Sequence, residues 1–307
     1  MLKLIGLIEI ILIIIVLAVI LFAILIIGLA YIAANKLVKP PRYKRSWTPK
    51  DLGYDYEDVI VETSDGLKLK GWFIDRGSNT TILAIHGYTS SKWDETYMKP
   101  IINILAKNGF NVAAFDFRAH GESEGETTTL GYLEVRDYVK IIDWLKQSKP
   151  EKSEKIGVIG YSMGGAVTIM LSAIDKRVNV AVADSPYIDI VESGRRWINR
   201  MKGVVKNLLI LGYPLIVSIA SRKMNVNIDD LRMYKYADKI KIPILIIAGE
   251  KDDLVSLEEI KKFYDELKKH NEKAELWITE SAHVRSIADK PEEYEEKVIG
   301  FFKRWLI

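Results

Sequence analysis

Ser162 stands in Gly160-Tyr161-Ser162-Met163-Gly164, a G-x-S-x-G pattern. A short apolar run, Ile156 to Ile159, precedes it, and an apolar helical pattern follows from Gly165 to Ala173. Strand, sharp turn and helix in that order hold a serine in a strained conformation with its hydroxyl exposed. Gly160 and Gly164 flank it because strand and helix crowd each other there. A serine hydroxyl is a poor nucleophile until a neighbouring base takes its proton. Only four histidines are available. His270 ends a lysine-rich amphipathic helix and reads as solvated. His86 and His120 each follow an early strand, ahead of the serine, and read as loop imidazoles bonded to backbone. His283 follows the last strand, in Glu280-Ser281-Ala282-His283. In this serine pattern the order is nucleophile, acid, histidine, which selects His283. The acid then belongs to the loop Gly249-Glu250-Lys251-Asp252-Asp253-Leu254, where Asp252 and Asp253 both qualify. Such a carboxylate fixes the imidazole tautomer and stabilises the imidazolium. Two backbone amides must receive the oxyanion. Met163, opening the helix, supplies one, and the loop Gly87-Tyr88-Thr89 after an earlier strand supplies the other.

These residues need a scaffold, and the hydrophobic pattern describes one. Asp58–Glu62 and Leu67–Ile74 alternate apolar and polar around Thr63-Ser64-Asp65-Gly66, which predicts a hairpin. Strands are expected at Thr81–Ile85, Asn111–Phe117, Val178–Ala183, Ile244–Ala248 and Ala274–Thr279. Helices are expected at Thr96–Lys107, Leu130–Lys146, Leu257–Lys269 and Glu292–Trp305. Alternation of this kind builds a mostly parallel sheet covered on both faces, an α/β architecture. Open sheets of this type carry their sites at the strands' carboxyl edge.

One connection, about 187–238, is too long for a plain loop between strand and helix. Its middle, Leu208 to Ala220, is strongly apolar and interrupted by Gly212 and Pro214, which predicts a helical cap. Its apolar side chains have three possible uses: packing the cap onto the domain, lining a pocket for an acyl group, or dipping into a nearby membrane. Arg195, Arg196, Arg200, Lys202 and Lys206 form a basic patch beside it and read as a solvated face.

The chain has 307 residues, 49% hydrophobic and 28% charged, with a net charge of +3. That charge is too small to point to nucleic acid. It contains no cysteine, which excludes disulfides, thiolate metal sites and a cysteine nucleophile. Ile10 to Ala34 carries no charged residue, and as a helix it spans ~37 Å, more than a ~30 Å hydrocarbon core. A cleaved signal peptide, with Gly28-Leu29-Ala30 as its cleavage site, has too short an apolar region to match. We expect an uncleaved transmembrane helix over 4–34, a basic linker over 35–53 and the catalytic domain over 54–307. Lys36, Lys39, Arg42, Lys44 and Arg45 follow the helix, against the α-amine and Lys3 before it. The positive-inside rule therefore places the catalytic domain in the cytoplasm.

Taken together, the chain resembles the α/β-hydrolase superfamily, and within it the esterase, monoacylglycerol-lipase and serine-aminopeptidase-like branch. The resemblance covers roughly Tyr54 to the C-terminus. It rests on His86-Gly87-Tyr88, the run Asp116-Phe117-Arg118-Ala119-His120-Gly121-Glu122-Ser123, Gly160-Tyr161-Ser162-Met163-Gly164-Gly165, the strand from Ile242 to Gly249 with Asp252, and His283. The family's acid falls three residues after the glycine with a valine three further on, which matches Gly249, Asp252 and Val255 and prefers Asp252 to Asp253. Ala119 and Ser256 depart from the usual glycine and proline. The resemblance implies acyl transfer by Ser162, His283 and Asp252, with the amides of Tyr88 and Met163 holding the oxyanion. It implies no metal and no cofactor. An ester or lipid-like small molecule is the expected substrate, a peptide or amide the alternative. A degenerate, non-catalytic membrane-bound module is a third reading, which an intact triad pattern disfavours.

Overall fold

The computed structural model describes residues 2–43 and 46–307, so Lys44 and Arg45 of the basic run lie outside the described residues. An eight-stranded sheet runs in the order β1-β2-β4-β3-β5-β6-β7-β8. Its strands are β1 (Glu57–Glu62), β2 (Lys68–Ile74), β3 (Thr80–Ile85), β4 (Asn111–Phe115), β5 (Lys155–Tyr161), β6 (Val178–Asp184), β7 (Ile244–Gly249) and β8 (Ala274–Thr279). The first two pair antiparallel with each other and β2 pairs antiparallel with β4, while every pair from β4 to β8 is parallel. Strands β3, β4 and β7 are buried along their whole length. That is why they read as continuous apolar runs and not as alternation.

Helices α2 (Met98–Lys107), α3 (Glu134–Ser148), α4 (Met163–Ile174), α8 (Leu257–His270), α9 (Ser286–Asp289) and α10 (Pro291–Leu306) accompany the sheet. Two cores result. One holds Val158, Met163 and Ile246 with α3, α4 and α8, and the other holds Ile82, Ile159 and Ile247 with α2 and α10. The expected helix from Leu130 begins four residues late. Leu130 (φ 55°) and Gly131 (φ 122°) lie in the left-handed region, so no helix can run through them. The turn is instead built on the Glu134 carboxylate, which accepts from Thr128 Oγ1, Thr129 Oγ1 and the amides of Thr129 and Gly131.

Between β6 and β7 lies the helical insertion: α5 (Ile190–Asn199), α6 (Val204–Leu211) and α7 (Tyr213–Met224), then two 3-10 turns. Gly212 and Pro214 divide the apolar middle, and α6 and α7 meet at a 63° bend.

The N-terminal helix α1 runs from Leu2 to Val38, four residues past the expected end. It is long and apolar enough to cross a membrane. Its surface changes character part-way. Every residue from Leu7 to Leu25 is exposed, whereas Ile26, Ala30, Ala34 and Val38 are buried at a spacing of four. That stripe packs on α7 and α6, and Ala30, Ala34 and Val38 share one core with Leu209, Ile216, Ala220 and Met224. The segment expected as a linker is also tied down. Trp47 is buried against Trp72 and donates from Nε1 to the Trp93 carbonyl at 2.7 Å. Arg42 donates to the carbonyls of Gly121, Ser123 and Gly125 at 2.9, 2.6 and 2.6 Å.

Candidate active site

Ser162 sits between β5 and α4 with φ 52° and ψ −119°, a strained conformation for a residue with a side chain. The turn is tight enough to demand its glycines. A Cβ on Gly160 would lie 2.3 Å from the Gly164 carbonyl oxygen, and one on Gly164 would lie 2.4 Å from that of Ile85. The hydroxyl so presented lies 3.0 Å from His283 Nε2, and His283 Nδ1 lies 2.7 Å from Asp252 Oδ2. A carboxylate only accepts, so Nδ1 carries the proton and Nε2 is left to accept from the serine. Three residues 121 and 31 positions apart are thus joined in one hydrogen-bonded line.

The two aspartates of the acid loop differ completely. Asp252 has a buried carboxylate whose Oδ1 accepts the amides of Leu254 and Val255 at 2.9 and 2.8 Å. Asp253 points outward and pairs with Arg200, at the end of α5, at 3.1 Å. Of the remaining histidines, His86 is buried and bonded twice to backbone, its Nδ1 to the Gly87 carbonyl and its Nε2 accepting the Phe117 amide. His120 Nδ1 donates to the Arg118 carbonyl at 2.9 Å. Burial lowers both pKa values, leaving neutral imidazoles suited to such bonds. His270 is half exposed beside Glu266.

The loop after β3 carries Tyr88 and presses on Ser162. A Cβ on Gly87 would meet the Tyr161 ring at 2.8 Å and Ser162 Cβ at 3.4 Å. The Met163 amide opens α4 directly beyond the serine. Lys92, Ser90 and Asp94, which sequence reasoning did not single out, help to hold this loop. Lys92 is buried, its Nζ 2.5 Å from Asp116 Oδ2 and 3.0 Å from Glu122 Oε2. The Asp116 carboxylate also accepts the amides of Lys92 and Glu122. Gly121 (φ 47°) lets that carboxylate approach, since a Cβ there would overlap it. Ser90 Oγ and Tyr161 Oη, 2.6 Å apart, both donate to Asp94 and link the loop to the residue before Ser162. The loop's far side reaches α1: Tyr88 Oη donates to the Leu37 carbonyl at 2.9 Å. Beneath the site, Asp184 accepts from Ser185 Oγ and Tyr294 Oη, and burial raises its pKa to about 6. Among the described residues no cluster of His, Asp and Glu is arranged to hold a metal ion.

With its parallel sheet, its elbow serine and the insertion after β6, the chain belongs to the α/β-hydrolase superfamily and is a serine hydrolase of that fold. Residues 71–213 match the family of X-Pro dipeptidyl-peptidases (S15 family). The chain is similar to the esterase Pf2001 of Pyrococcus furiosus, at 43% identity and a TM-score of 0.78, covering 87% of this chain and 99% of that one. It is 28% identical to an uncharacterized protein of Mycobacterium tuberculosis over 64% of this chain, which spans 62% of that relative's length. The fold is also that of the Pyrococcus horikoshii acylaminoacyl peptidase, at 20% identity and a TM-score of 0.63, over 82% of this chain and 42% of that one.

Proposed function

We propose that this chain is a membrane-anchored carboxylesterase acting on apolar or small esters. The observation that carries this is the hydrogen-bonded line from Ser162 through His283 to Asp252. In the reading, His283 Nε2 takes the serine proton as Oγ attacks the ester carbonyl. The amides of Tyr88 and Met163 receive the developing oxyanion, a contribution typically of ~3–4 kcal/mol per donor. Asp252 stabilises the imidazolium, which then protonates the leaving alcohol. Water, activated by the same imidazole, releases the acid from the acyl-enzyme. No metal or cofactor enters this scheme.

The preference for esters rests on the Pf2001 neighbour, described as an esterase and similar along its whole length. The S15 match keeps a peptidase as the second reading. The anchor reading rests on the apolar length of α1, and the exposed Lys36 and Lys39 at its end favour a cytoplasmic catalytic domain. A fluorophosphonate probe tests the enzyme: wild type labels, and Ser162→Ala does not. Equal labelling of both, or of neither, overturns the proposal. p-Nitrophenyl esters set against aminoacyl p-nitroanilides then separate the two substrate classes. Protease digestion of the domain in intact cells would overturn the cytoplasmic orientation.

A further inference from the structure

We propose that the insertion is a second membrane contact: α6 and the α6–α7 bend seat in the lipid interface where α1 leaves the bilayer. The inference rests on the anchor reading and extends it to a surface with a defined depth. The exposed stretch of α1, Leu7 to Leu25, measures ~28 Å, the thickness of a hydrocarbon core. Burial begins at Ile26, and Ile26 is the residue against which Gly212 sits, a Cβ there lying 3.2 Å from Ile26 Cγ2. The bend is therefore at the level where the span ends. From there α7 climbs beside α1 in the same direction, because Lys223 near its far end reaches Asn35 and the Tyr31 ring. Turning back from Gly212, the eight residues of α6 leave that axis at 63°. Over a ~12 Å helix this carries Val204 and Val205 ~5 Å deeper than the bend.

The surface so placed is the wrong one for water. Val204 is 72%, Val205 50%, Leu211 60% and Leu215 42% exposed. Interfacial helices bury such a face ~5–10 Å into the boundary between headgroups and acyl chains. Lys202 and Lys206 bracket the valines on long stems that can reach anionic headgroups while the valines remain in the apolar layer. The occupant is the bilayer, because the patch is continuous with the apolar span and set at its edge.

The chain has no cysteine, so single-cysteine variants of the full-length protein can be labelled at one site each. The probe is an environment-sensitive nitrobenzoxadiazole on Leu17→Cys, Val204→Cys, Leu211→Cys or the distant Lys262→Cys. The protein is reconstituted into phosphatidylcholine–phosphatidylglycerol nanodiscs. The proposal expects blue-shifted emission at 204 and 211, quenched most by lipid carrying doxyl high on the acyl chain. Position 17 is quenched most by doxyl near the chain end, and 262 by neither. Water-like emission at 204 with position 17 buried overturns the docking surface and leaves the anchor standing. Water-like emission at both overturns both. Blue-shifted emission at 204 without lipid quenching means that protein covers the face, and also overturns the proposal.

Discussion

Asp252 and Asp253 are neighbours in sequence with opposite surroundings. One carboxylate is buried and holds His283 together with two amides, while the other pairs at the surface with Arg200. Asp252→Asn should lower kcat by up to about 10⁴, by analogy with serine proteases, because an amide cannot hold the same imidazole tautomer. Asp253→Asn should leave kcat within about twofold, since exposed pairs contribute ~0–1 kcal/mol. Steady-state kinetics on one ester decide this, and the reverse result exchanges the two roles. Asp184 permits a pH prediction. Its native pKa is raised to about 6 by burial, against an ordinary 3.8 when unfolded. Between those values the folded state binds the extra proton, so this group's contribution to stability falls as pH rises from 4 to 6. Asp184→Asn removes that loss. Its Tm should vary less between pH 4 and 7 than that of the wild type, as thermal unfolding will show. Ser162, Asp252 and His283, which the structure joins by hydrogen bonds, could be picked out from the sequence because each lies in a short local pattern. Lys92, Ser90 and Asp184 were not, because their partners are 24, 71 and 110 residues away and nothing local marks them.

At the scale of elements, the loop bearing Tyr88 is held from outside the sheet. Burial pushes the Tyr88 hydroxyl up to about 12, so it remains a donor to the Leu37 carbonyl at any working pH. Tyr88→Phe loses one hydrogen bond, about 1 kcal/mol, and leaves the backbone amide in place. If that bond positions the loop, kcat should fall by up to about fivefold with KM little changed. Arg42→Ala strips three carbonyls of the 121–125 turn of their donor. With charged donors worth ~1.5–3 kcal/mol each before solvent screening, a net loss of ~1–3 kcal/mol is expected in denaturant unfolding. The alternation of strands and helices was readable from apolar runs of the right length. The seating of α1 on the insertion was hidden, because a helix apolar on every side shows no face. Its remaining trace is the size of the side chains. Ala30 and Ala34, four apart, let α7 approach where the exposed Leu7–Leu25 stretch is mostly large.

For the whole molecule, α1 has two parts: a nineteen-residue exposed stretch, Leu7 to Leu25, apolar except for Glu9, then a stripe that belongs to the protein core. Truncations should separate the two. Removing residues 1–25 should leave the Tm in detergent close to that of the full chain. Removing 1–53 also takes away the stripe, Arg42 and Trp47 and bares the apolar side of α7. That truncation should lower the Tm and promote aggregation, as calorimetry and light scattering would show. Equal behaviour of the two truncations would mean that the stripe contributes nothing to stability. The pairing of α1 with α7 also bears on how the protein is made. Residues 26–38 leave the ribosome ~190 residues before the helix that will cover them, a delay of ~10–40 s at ordinary rates of synthesis. During that interval the stripe is bare and, on the proposed anchor, adjoins a segment entering the lipid. On the proposed anchor, the nascent chain has to stop its insertion near Ile26 without help from its eventual partner. The charges at Lys36, Lys39 and Arg42 are the means available at that moment, so the proposed anchor gives them a first duty during synthesis.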